Sequence, residues 1–134
     1  MTISANTTSR NAYLTSIRDL LDAGTGPGKL LVMDGVRPAA GGTPTNVLAE
    51  LTLSDPCAAN PANGVLTFNA ITGGAALQNG TASWVRLVDS DGNFVCDGSV
   101  GATGSGADVE FGNINFVQGG TVNISSGSIT APDA

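Results

Sequence analysis

Histidine is missing from this chain altogether. Without it, Ser-His-Asp and Cys-His catalytic sets cannot be built. Cations are scarce too: Arg10, Arg18, Lys29, Arg37 and Arg86 lie scattered among eleven acidic residues, for a net charge of −6. No basic stripe exists to neutralise phosphates, which excludes a nucleic-acid partner. Cys57 and Cys96 are far apart and in no CxxC motif, which leaves redox and zinc chemistry without support. No apolar run approaches the roughly 20 residues of a membrane helix, and no membrane partner is expected. The first residues, Met-Thr-Ile-Ser-Ala-Asn, lack the basic and apolar regions of a secretory signal. The chain is therefore expected to mature in a cytosol, with both cysteines as buried thiols rather than a bridge. Charged residues are only 12% of the total, about half the usual share. A surface of Gly, Ala, Thr, Ser and Asn instead suits packing against other subunits, although extracellular β proteins share that composition.

What is present is one helix pattern followed by many short apolar runs. Residues 1–9 read as an extended polar arm, and residues 10–134 as a single β-rich domain. Leu14, Ile17 and Leu21 recur on one stripe, which predicts a helix over about 9–23. Thr8 or Ser9 is expected to cap it, and Gly24 and Pro27 to end it. Strands are predicted at 29–33, 47–53, 65–71, 82–88, 94–100, 109–111, 114–117, 121–124 and 128–130, with turns at Gly73-Gly74 and Asn79-Gly80. The clearest hairpin joins Ala82–Val88 to Phe94–Val100 through Asp89-Ser90-Asp91-Gly92-Asn93, because Asp-Gly favours the positive φ of tight turns. Trp84 is expected in the core, with Arg86 on the same strand face, stacked or paired at its edge. Residues 101–107 read as a mobile Gly-rich loop. One helix followed by short strands predicts a mainly β fold, a β-sandwich or jelly-roll.

Three segments have the outline of chemical motifs. Asp89 to Asn93 places oxygen ligands at alternating positions, as calcium loops do. An EF-hand needs glycine sixth and glutamate twelfth, whereas here Gly92 is fourth and Val100 twelfth, so a plain hairpin turn is expected. Gly24-Thr25-Gly26-Pro27-Gly28-Lys29 has the glycines of a phosphate loop. It follows a helix, enters a strand and lacks Ser or Thr after Lys29, so it reads as a connector. Asp89, Asp91 and Asp97 sit near one hairpin, with Glu50 and Glu110 elsewhere; a carboxylate pair across a groove is what glycoside hydrolysis requires. Few aromatics are available to line a sugar cleft. No catalytic, cofactor or metal residue is assigned, and no enzyme is expected.

An ordered series of segments resembles small virion structural proteins of tailed bacteriophages. It comprises Arg10-Asn11-Ala12, Leu20-Leu21-Asp22-Ala23-Gly24 with Gly28-Lys29-Leu30, and Asp34-Gly35-Val36-Arg37-Pro38. Leu48-Ala49-Glu50-Leu51 with Asp55-Pro56 and Gly80-Thr81-Ala82-Ser83-Trp84-Val85-Arg86-Leu87 follow. Asp89-Ser90-Asp91-Gly92-Asn93 and Cys96-Asp97-Gly98-Ser99-Val100-Gly101 complete it. The resemblance implies a non-enzymatic particle protein, of the head decoration or cement type, with a β-rich body and an extended terminus. Implied partners are the major capsid protein and further copies of this chain, as a homo-oligomer on the capsid surface, made in the bacterial host cytoplasm. A tail or head–tail joining protein is the alternative within the particle, and a carbohydrate-binding module at a fibre or cell surface the alternative outside it. On physical grounds Thr2, Ile3, Ser4, Ala5, Asn6 and Thr7 are the expected contact arm, since a polar terminus can order on binding.

Overall fold

A computed structural model describes residues 5–131. Its one helix, α1, spans Thr7–Leu21. It starts two residues earlier than the sequence suggests because Asn6, not Thr8 or Ser9, is the cap: the Asn6 side chain accepts the Ser9 amide at 2.8 Å. Thr7 thus belongs to the helix and not to an arm, while Thr2, Ile3 and Ser4 lie outside the described residues. The far end also differs from expectation. Asp22, in a right-handed conformation, is the C-cap, and Gly24 lies beyond it. The Asp22 carboxylate accepts the Cys57 amide at 3.0 Å, so a long-range bond fixes the helix end where a left-handed glycine was expected. Leu14, Ile17 and Leu21 are buried as the stripe requires, each contributing about 1.5–3 kcal/mol by leaving water. Asn6→Ala is expected to cost about 1 kcal/mol, read as a lowered urea midpoint at unchanged slope.

The body is mainly β. Seven strands form one sheet in the order β2 (Val47–Thr52), β1 (Lys29–Met33), β6 (Trp84–Val88), β7 (Phe94–Ala102), β8 (Val109–Phe111), β11 (Ile124–Thr130), β3 (Val65–Thr67). Two ribbons stand beside it. One pairs β4 (Gly74–Ala75) with β10 (Thr121–Val122), the other β5 (Gly80–Thr81) with β9 (Asn115–Phe116). Both Gly73-Gly74 and Asn79-Gly80 therefore contribute to strands that the sequence reads as turns. An antiparallel bridge between Thr52 and Thr72 joins the end of β2 to the segment following β3. A flat seven-strand sheet would hold those edges about 29 Å apart, further than five residues of chain can span, so the sheet curls.

Alternation decides what each face does. Leu30 and Val32 of β1, Val85 and Leu87 of β6, and Leu48 and Leu51 from β2 join the helix stripe in one apolar cluster. Phe111 and Phe116 meet there edge to face, their ring centres 5.6 Å apart. Trp84 is buried as expected, but on the opposite face of the sheet from that cluster, beneath the loop 34–46.

The β6–β7 hairpin is as the sequence indicates, with Trp84 opposite Ser99, Arg86 opposite Asp97 and a bulge at Leu87/Val88. Gly92 takes φ +85° in the turn, a conformation that disfavours any side chain. The unexpected pairing comes next. β7 and β8 run parallel, Val100 beside Val109, although only six residues separate them. Residues 101 and 102 prolong β7, and the rest is a bonded turn: Ser105 donates to the Ala102 carbonyl at 3.0 Å and Gly106 to the Glu110 carboxylate at 2.7 Å.

Candidate interaction surface

The sheet face carrying Trp84 is built around one charged pair. Arg86 Nε and Nη2 donate to the two Asp97 oxygens at 2.8 and 3.1 Å, and both side chains are buried. The guanidinium lies 5.2 Å from the Trp84 ring centre and 4.8 Å from that of Phe94. Arg86 thus does both things its spacing allows, pairing and stacking. Trp84 Nε1 donates at 3.0 Å to the Asp34 carbonyl and to the Thr45 hydroxyl. Thr45 in turn donates to the Asp34 carbonyl. The Asp34 carboxylate accepts the Asn46 amide and side chain, closing the loop 34–46 at its neck.

Of the acidic residues singled out by sequence, Asp89, Asp97, Glu50 and Glu110 have engaged carboxylates, while Asp91 contributes only its backbone amide. Asp89 accepts the amides of Asp91 and Asn93 and the Asn93 side chain at 2.9–3.0 Å. These bonds, the Asn93 side chain first, hold its carboxyl below the ordinary value. Its oxygens organise a hairpin turn. Asp97 is taken by Arg86, Glu50 by Lys29 at 2.8 Å, and Glu110 by Gly106 and Ser126. Among the described residues no three His, Cys, Asp or Glu side chains come together as a metal group. Gly24 to Lys29 runs from the helix to β1, and a Cβ on Gly28 would lie 2.8 Å from the Val88 carbonyl and 2.9 Å from that of Leu21. The connector is shaped for packing. Cys57 is buried and Cys96 half-buried, and both are free thiols. Burial pushes each thiol up to about 12, which makes the thiolate scarce at neutral pH.

The expected arm divides between described and undescribed residues. Ala5 is half-buried, Asn6 is spent on the helix cap, and Thr7 is exposed in the first turn. Just behind them the helix is moored: Arg10 Nε and Nη2 donate to the Ala131 carbonyl at 3.2 and 3.1 Å, and Asn11 accepts the Gly64 amide at 2.9 Å. The start of the helix therefore sits against the start of β3 and the end of β11.

Exposed apolar side chains are the feature that sequence reasoning does not single out. Tyr13 is 54% exposed, Phe94 42% and Val36 86%. Tyr13, Arg37, Pro38, Ala40 and the Phe94–Asp97 segment line one crevice of about 440 Å³. A second crevice on the other side of Tyr13 runs between Cys96–Gly98 and Asp108–Val109. Leu77 and Val117 are exposed elsewhere, in the segments flanking the ribbons. Tyr13 lies beside the buried stripe of Leu14, Ile17 and Leu21 and borders both crevices. No known family, curated protein or solved structure matches the chain.

Proposed function

We propose that this chain is a non-enzymatic structural protein of a tailed-bacteriophage particle, a head decoration protein that binds the outer capsid lattice and stabilises it. The observation that carries this reading is the surface itself. It is poor in charge yet presents Tyr13, Val36, Leu77, Phe94 and Val117 to solvent, a pattern suited to lattice contacts and costly for a solitary soluble protein. The acids that could have served hydrolysis are bound up in turns and pairs. A mainly β body suits the role, and we take residues 1–5 as its contact arm, since many modest contacts multiply across a repeating shell. The tail or head–tail joining role rests on the same surface. Sugar binding has less to rest on, because Trp84, its best platform, is buried.

Copy number separates the positions within the particle. Quantitative mass spectrometry of purified virions is expected to find hundreds of copies, matching a capsid lattice. A count of about six or twelve, the number in a connector ring, would refute decoration. The arm is tested separately. Deleting residues 1–5 keeps Asn6, and so is expected to leave thermal unfolding within a degree or two while reducing occupancy on capsids several-fold. Undiminished occupancy would remove the arm from the account.

A further inference from the structure

We infer that the charge-free surface formed by the two ribbons is a self-association face, which a second copy of this chain covers with the same face of its own. Charges along the sequence stop at Asp55 and resume at Arg86, then stop at Glu110 and resume at Asp133. The fold brings the two uncharged runs together. The first supplies β4 and β5, the second β9 and β10, so each ribbon takes one strand from each run. The ribbons are two halves of one ladder. Gly74 faces Val122 and Ala75 faces Thr121, then Gly80 faces Phe116 and Thr81 faces Asn115, in a single antiparallel register. Across the break the Ala76 amide donates to the Gly120 carbonyl at 2.8 Å, and the Asn79 side chain accepts the Gln118 amide at 2.8 Å. The Leu77 amide donates to the Leu48 carbonyl at 2.7 Å, which ties the ladder to β2. The face is therefore held in shape by bonds at both of its strands.

What this face shows to solvent is apolar and amide-rich. Leu77 and Val117 both stand exposed at the break in the ladder, 52% and 67%, among exposed Gln78, Asn79, Asn115 and Gln118. A crevice of about 170 Å³ opens beside Val117, between Asn115 and Thr121, and gives the Leu77 side chain of a facing copy a place to enter. The acids at the borders are already engaged. Glu50 on β2 pairs with Lys29 at 2.8 Å, and Glu110 accepts from the Gly106 amide and the Ser126 hydroxyl. Net charge names the occupant. A chain at −6 repels its own copies wherever carboxylates meet, so copies approach most favourably across the side that carries none. A basic partner would be drawn to the acidic sides instead. Depletion of charge around exposed apolar side chains is also the composition of an interface core. Using the same face on both chains satisfies a two-fold arrangement. The inference deepens the virion reading, in which many copies share one shell, without depending on capsid binding.

The test is sedimentation velocity of the full chain from about 10 μM to about 1 mM, in about 20 mM and about 500 mM NaCl. Concentration-dependent self-association is expected, and salt is expected to strengthen it several-fold, because salt screens the repulsion between two acidic bodies and has no interface ion pair to weaken. Leu77→Glu and Val117→Glu each set a carboxylate against its own copy, and each is expected to weaken association about tenfold or more with far-ultraviolet dichroism unchanged, since both side chains are exposed. Tyr13→Glu adds the same charge from the helix, outside the face, and is expected to leave association within about twofold. A chain that stays monomeric throughout overturns the proposal. So does association that salt weakens, that ignores both ribbon substitutions, or that Tyr13→Glu reduces as much as they do. None of these results bears on copy number in virions, so the two readings fail separately.

Discussion

Asp97→Ala is expected to lower the unfolding free energy by about 3–5 kcal/mol, the largest loss of any single charge in the molecule. The reason lies in what it leaves behind. Arg86 is buried, its two bonded nitrogens face only Asp97, and it has no route to water without disturbing Trp84 and Phe94. Removing the carboxylate strands a cation in an apolar setting. Breaking the pair from one side therefore costs more than the pair contributes. Replacing both partners, as Arg86→Met with Asp97→Leu, is expected to cost less than Asp97→Ala alone. Urea unfolding of the two singles and the double makes the comparison. Strict additivity would show that the two side chains act independently, contrary to their geometry.

Trp84→Ala comes next, at about 3–5 kcal/mol, with a local signature as well. The indole fills the space under the loop 34–46 and supplies the N–H that bonds Asp34 and Thr45. Without it the loop loses its floor, while the cluster on the other face, to which Trp84 does not belong, keeps its contacts. Subtilisin should then cut first between about residues 38 and 44, ahead of global unfolding. Trp84→Phe refills most of the volume but not the donor, and is expected to recover most of the stability while leaving the loop cleavable. A Trp84→Ala chain as resistant as the parent at that loop would contradict the placement.

How far the sequence reaches can be read from individual elements. Leu14, Ile17 and Leu21 announce α1, because a stripe that must be buried admits one period. β1, β2 and the Trp84–Ala102 hairpin are legible for the same reason, helped by Asp91-Gly92. Thr8 and Ser9 read as caps because a hydroxyl can accept an amide, but Asn6 holds that place; the bonds from Arg10 to Ala131 and from Gly64 to Asn11 hold the helix, and those depend on residues over fifty positions away. The ribbons leave no mark in the sequence because two-residue strands containing Gly74 or Gly80 carry no alternation. The parallel step from β7 to β8 is not legible because Gly101 to Ala107 has the composition of a loop, and nothing in that composition marks the Glu110 carboxylate that accepts the Gly106 amide and shapes the turn. The turn-forming role of Asp89, by contrast, is legible in the sequence, since an Asx turn is local.

The proposed place of this chain on a phage capsid is tested most directly by cryo-electron microscopy of particles from the source that encodes it. Density for the curled sheet and its helix, repeated over the outer capsid lattice, is the predicted result. Density confined to the tail axis or to a single vertex, or none in the particle at all, would contradict it.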